Sequence, residues 1–104
     1  ITKLKVLHSL YKWYFMLNFT VKLTNQKGLH ARASAKFVEV VDSFDAKCEV
    51  SRDETTVSGD SVMSLLMLAA SNGTKVQIKV WGKEKEKLKK AIITLITNKF
   101  GEEN

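Results

Sequence analysis

Leu17, Phe19, Val21 and Leu23 alternate strictly with Asn18, Thr20 and Lys22, and a short turn later the inward positions fall at Ser34, Phe37, Val38 and Val41. The first spacing has the period of a strand with one buried face and the second that of an amphipathic helix. The two periods keep exchanging along the chain. "KCEVSR" (47–52) and "TTVSG" (55–59) read as two short strands around Asp53-Glu54, and "DSVMSLLMLAA" as a short apolar helix. "GTKVQIKVW" returns to alternation, with Val76, Ile78 and Val80 inward. "KEKEKLKKAIITLITNKFG" places Leu88, Ile92, Leu95 and Phe100 on one helix face, with Gly101 at the expected C′ position. The order is β-α-β-β-α-β-α. Short strands with polar outer faces, joined to three amphipathic helices, predict an α+β fold: one antiparallel sheet covered by helices on one side.

A chain of 104 residues with 44% apolar content is enough for one compact domain and too little for two. No apolar run approaches the roughly 20 residues needed to cross a bilayer, so no membrane insertion is expected. Cys48 is the only cysteine, and with His8 and His30 it makes no ligand set of zinc spacing; no metal and no cofactor are expected, and Cys48 reads as a small strand residue. The net charge of +6 suggests a polyanion partner, but Lys3, Lys5 and Lys12 supply half of it, leaving +3 from Met16 onward. That excess argues poorly for nucleic acid. Residues 1–15, "ITKLKVLHSLYKWYF", are aromatic, basic and free of acids. Lys12 interrupts what would be a signal peptide. Leu4, Leu7 and Tyr11 share a helical face, so a short membrane-surface helix is one reading. The plainer one is that the functional domain spans 16–104 and the extra segment lies outside it.

His30 falls between strand and helix, where a helix N-terminus leaves backbone N–H groups without partners. Those donors, the positive end of the helix dipole and the guanidinium of Arg32 suit a doubly charged phosphoryl group. Gly28 permits an unusual backbone just before, presenting the ring to solvent. Imidazole titrates near neutral pH, so an exposed ring offers an unprotonated nitrogen as nucleophile. The bland alternative is a histidine that merely caps the helix or fills a turn. Within the motif no second nucleophile and no orienting carboxylate is visible, as a hydrolytic enzyme would need. "KCEVSR" and "TTVSG" carry no aromatics of the kind RNA-binding sheets stack on bases.

"GLHARASAKF", the helix that follows, "SGDSVMSLL" and the closing "GTKVQIKV…KFGEE" resemble HPr, the histidine-containing phosphocarrier family of the bacterial phosphotransferase system, over residues 16–104. The resemblance implies an open-faced β-sandwich with a four-stranded antiparallel sheet and three helices on one face. It implies a carrier, not an enzyme, phosphorylated on Nδ1 of His30 by enzyme I and passing phosphate to enzyme-IIA-type proteins. Arg32 would steady the phosphate, and Ser61 would be the serine phosphosite read by a serine kinase/phosphorylase. A cytoplasmic monomer is expected.

Two positions depart from the family pattern. Ala33 stands where proline is common, which keeps a helix former and an N–H donor near the phosphate; "HARASAKF" is similar to the alphaproteobacterial or nitrogen-related branch, where the carrier more often regulates than drives sugar uptake. Asp60 stands before Ser61 where a basic residue is common. In the short helix Leu65 and Leu68 are expected to face the sheet and Met67 to join the core, whereas Val62, Met63 and Leu66 stay exposed beside His30 as the partner-binding patch.

Overall fold

The computed structural model describes residues 15–103, so the expectation about the N-terminal segment lies, but for Phe15, outside the described residues. Among these residues four strands form one antiparallel sheet: β1 (Leu17–Lys22), β2 (Lys47–Arg52), β3 (Thr55–Ser58) and β4 (Lys75–Trp81), in the order β1-β4-β2-β3. β4 is central, with Val80 opposite both Leu17 on β1 and Cys48 on β2, and Ile78 opposite Phe19 and Val50. Because side chains alternate across a strand, this register stacks Val76, Ile78 and Val80 on one face, where all three are buried. Lys75 and Gln77 point the other way and are exposed.

Among the described residues three helices, α1 (Ala31–Asp42), α2 (Val62–Met67) and α3 (Lys85–Thr97), cover the apolar face. α1 contributes Ala33, Ser34, Phe37 and Val41, and α3 contributes Leu88, Ile92 and Ile96. Leu65 and Leu68 reach the core from the short α2, as their spacing predicts. The core closes over Ile78, which is fully buried; truncating such a side chain to alanine costs about 2–5 kcal/mol. Cys48 sits in β2 with burial pushing its thiol up to about 12, aided by the charges of Glu49 and Asp60. It is a packing residue, close against Gly59.

Two expectations need correcting. Met67 is not core: it is 75% exposed, because a helix of six residues that buries Leu65 toward the sheet turns Met67 to the opposite side. The last helix does not run on to Gly101. It ends at Thr97, and a single 3₁₀ turn, Lys99–Gly101, follows with Lys99 at φ +53 and Phe100 at φ +57. Two consecutive non-glycine residues in the left-handed region are unfavourable by themselves. The offset is the burial of Phe100, which this bend returns to the core at 1% exposure.

Candidate functional site

The turn after β1 is drawn tight by its own backbone and by one side chain. Gly28 N–H donates to the Asn25 carbonyl at 3.2 Å, and Asn25 Nδ2 donates to the Gly28 carbonyl at 2.8 Å. Gly28 adopts φ +60, and a Cβ there would run into the Ala70 carbonyl and the Ser71 backbone. This position therefore needs glycine twice over, for its dihedral and for the close approach of the chain leaving α2. Leu29 N–H then bonds to the Ala70 carbonyl at 2.8 Å. With Gly28 and Leu29 fixed, His30 becomes the N-cap residue of α1, extended at φ −76 and ψ 179, and its carbonyl accepts the first helical bond from Ser34.

His30 is the N-cap by position, but its side chain makes no capping bond. Its Nε2 lies 2.7 Å from Oε2 of Glu102. The ring is also less open than expected, with 26% of its side chain exposed against 18% for Glu102. The bend at Lys99 and Phe100 makes this contact, because it folds the tail back over the start of α1. Lys36 Nζ secures the fold-back by donating to the Phe100 carbonyl at 2.6 Å. An ionised carboxylate only accepts hydrogen bonds, so Nε2 carries a hydrogen, and in the neutral form of the ring the lone pair is on Nδ1. Glu102 is the orienting carboxylate that the motif itself does not reveal.

Glu102 is held in its charged form. Partial burial pushes its carboxyl up, but hydrogen bonds from His30 and Asn25, with the charges of His30 and Lys36, outweigh this and hold it below the usual carboxylate range. Asn25 Nδ2 reaches the two Glu102 oxygens at 3.2 and 3.4 Å. Around the ring lies a shallow depression lined by Gln26, Lys27, His30, Ala31, Arg32, Lys36, Gly101, Glu102 and Glu103. Arg32 is exposed there on the first turn of α1. Lys27, Arg32 and Lys36 make the depression cationic on the side of the helix N-terminus. A doubly charged tetrahedral group has both a nucleophile and counter-charges here.

Residues 17–98, which include this turn and the whole of α1, match the family described as "PTS HPr component phosphorylation site". The chain belongs to the HPr family. Phosphocarrier protein HPr of Neisseria meningitidis serogroup A is 37% identical over 87 residues, covering 84% of this chain and 98% of that protein. Phosphocarrier protein NPr of Escherichia coli K12 is 35% identical over 85 residues, 81% of this chain and 94% of that one. Among solved structures, HPr from Thermoanaerobacter tengcongensis superposes with a TM-score of 0.81 at 35% identity, covering 85% of this chain and 99% of the other. The open four-stranded sheet with three helices is thus the HPr architecture, as the resemblance implied, and the role is that of a phosphocarrier of the phosphotransferase system. Glu102 lies beyond the stretch that matches the family.

The other expected positions gather on α2. Ser61 is its N-cap, extended at φ −131 and ψ 118, and its hydroxyl accepts from Ser64 N–H at 3.2 Å. Asp60 turns away from it, accepting the Ser58 hydroxyl at 2.5 Å. Met63 is 73% exposed, whereas Val62 and Leu66 are only partly so. With Met67 they form an apolar strip on the helix whose exit packs against Gly28 and Leu29. The strip is therefore attached to the His30 turn through backbone contacts at Ala70.

Proposed function

We propose that this HPr-family carrier accepts a phosphoryl group from enzyme I on Nδ1 of His30 and passes it to enzyme-IIA-type acceptors, with phosphoenolpyruvate as the ultimate donor. The observation that carries the reading is the hydrogen bond from His30 Nε2 to Glu102 at 2.7 Å, which leaves Nδ1 as the nucleophilic nitrogen. In the transfer, the Nδ1 lone pair forms the new N–P bond while the donor's N–P bond breaks and its electron pair returns to the donor ring. No proton has to leave Nε2. The His30 ring gains positive charge as the bond forms, and the Glu102 carboxylate meets that charge. Arg32 and the first-turn N–H groups of α1 meet the phosphoryl oxygens.

Every group in this scheme comes from one chain, which supports action as a monomer. With the ring itself as nucleophile and the donor and acceptor on other proteins, the chain is a carrier and not an enzyme. The apolar strip of Val62, Met63 and Leu66 is the docking face for enzyme I and the acceptors, methionine adapting to partners of different shape. Ser61, at its edge, is the site at which a serine kinase/phosphorylase would act, and the cytoplasm is where the cycle runs.

Incubation with phosphoenolpyruvate and enzyme I, followed by intact mass, tests the reading. One acid-labile phosphoryl group per chain is expected, absent in His30→Ala, with NMR placing it on Nδ1. Retained acceptance in His30→Ala would overturn the assignment. Turnover of a small substrate by the chain alone would favour an enzyme that uses the Glu102–His30 pair as a general base.

A further inference from the structure

Asn25 is completely buried, and its side chain is unevenly satisfied. Oδ1 has no hydrogen-bond partner, while Nδ2 serves the Gly28 carbonyl at 2.8 Å and both oxygens of Glu102 at 3.2 and 3.4 Å. Exchanging the two ends of the amide would set Oδ1 against three acceptor oxygens, so the orientation is dictated by its neighbours. A buried acceptor without a partner is unfavourable. A leucine of similar size would pack without that penalty, so packing alone does not call for an amide here. What only an amide nitrogen supplies at this place is a donor to two acceptors at once. One acceptor precedes His30 in the chain by two residues, and the other arrives from 72 positions downstream to bind its ring.

The carboxylate has competitors. Lys27, Arg32 and Lys36 line the same depression as Glu102, and a carboxylate anchored only by one imidazole bond could swing to the Arg32 guanidinium. Such a swing would release Nε2 and neutralise the cation that faces the phosphoryl group. Resting on the reading of His30 as phosphoryl acceptor, we propose that Asn25 is a positioning residue for the transfer: its buried amide clamps Glu102 to His30 Nε2, and so sets which ring nitrogen attacks and keeps Arg32 available for phosphate. Asn25 touches neither the ring nor the phosphoryl group and acts through Glu102.

The test uses the full unphosphorylated chain and NMR at about pH 8.5, above the ordinary imidazole range. In the wild type a low-field His30 Nε2–H resonance is expected, protected from exchange with water. In Asn25→Ala its exchange is expected to accelerate about tenfold or more, the scale of a lost hydrogen bond to a charged group. Asn25→Ser keeps a donor for Gly28 without the reach to Glu102 and is expected to show the same loss, should the alanine variant fail to fold. In a Glu102→Ala background, Asn25→Ala is expected to add nothing, whereas a purely structural Asn25 would add its own effect. A measurement on the wild type needs no variant: the Asn25 side-chain amide protons are expected to shift as Glu102 is titrated. Unchanged Nε2–H exchange in a folded Asn25 variant, or amide protons blind to Glu102, would overturn the proposal. None of these signals depends on phosphate transfer, so a chain that shows them and yet refuses phosphate from enzyme I refutes the carrier reading alone.

Discussion

His30 Nε2 and Glu102 Oε2 stand 2.7 Å apart although 72 positions separate the two residues in the chain. The contact joins the N-terminus of α1 to the tail beyond α3, and it decides which face of the imidazole is open.

Its pH dependence has a definite sign. The Glu102 carboxyl titrates lower in the folded chain than in the unfolded one, so the unfolded chain binds the proton more readily. The stability contributed by Glu102 is therefore complete above the ordinary carboxylate range, at about pH 5 and higher, and is lost as pH falls through its lowered folded value. Glu102→Gln is expected to melt below wild type at pH 7, with the gap closing toward pH 3. Melting curves across that range check this, and a gap that widens in acid would contradict it.

Arg32→Ala is expected to fold normally, since an exposed guanidinium contributes about 0–1 kcal/mol. Phosphoryl acceptance is expected to fall about 10- to 100-fold, because hydrogen bonds to the charge being transferred are the stronger kind. Stopped-flow acceptance from phosphorylated enzyme I measures it, beside a thermal melt. A normal rate would remove Arg32 from the site.

Gly28→Ala combines a left-handed dihedral with a clash against the Ala70 carbonyl and Ser71. The two penalties together are expected to reach about 2–4 kcal/mol, a fall of roughly 10 °C or more in Tm for a domain of this size. Unlike Arg32→Ala, this variant is expected to lose stability and acceptance together.

Ser61→Asp keeps a good N-cap and is expected to melt close to wild type. It also places a carboxylate beside Val62 and Met63, next to Asp60, and acceptance from enzyme I is expected to slow several-fold. Ser61→Asn, which caps without charge, is the control. An equal slowing in both variants would trace the effect to the cap and not to charge beside Val62 and Met63.

The sheet and helices were legible because their signals are local: β1 and β4 alternate, and α1 places Ser34, Phe37 and Val41 one turn apart. That His30 and Arg32 line one depression was legible for the same reason, since they lie together in one motif at a strand-to-helix change. Glu102 was not. Its contact depends on the left-handed bend at Lys99 and Phe100, and no propensity favours that conformation in lysine or phenylalanine; it follows from the burial of the Phe100 ring. The one available hint was the acidic "GEE" after the last helix, opposite in sign to Lys27 and Arg32. Met67 was misplaced because an apolar residue in a six-residue helix has too few neighbours of known facing to fix its side. Asn25 carries no signal of its own, since nothing in "TNQKG" tells which acceptors its amide will meet.

The bend that returns Phe100 to the core also makes the His30 contact conditional on long-range structure. Its carboxylate and its imidazole lie at opposite ends of the domain's connectivity, and closing so long a loop is slow and entropically unfavourable until the intervening elements have condensed. A chain in which that loop is not closed lacks the Glu102 partner of His30. Nε2 has its partner only where α3 is docked and Phe100 is seated, so the state of the imidazole reports whether the two ends of the domain are joined.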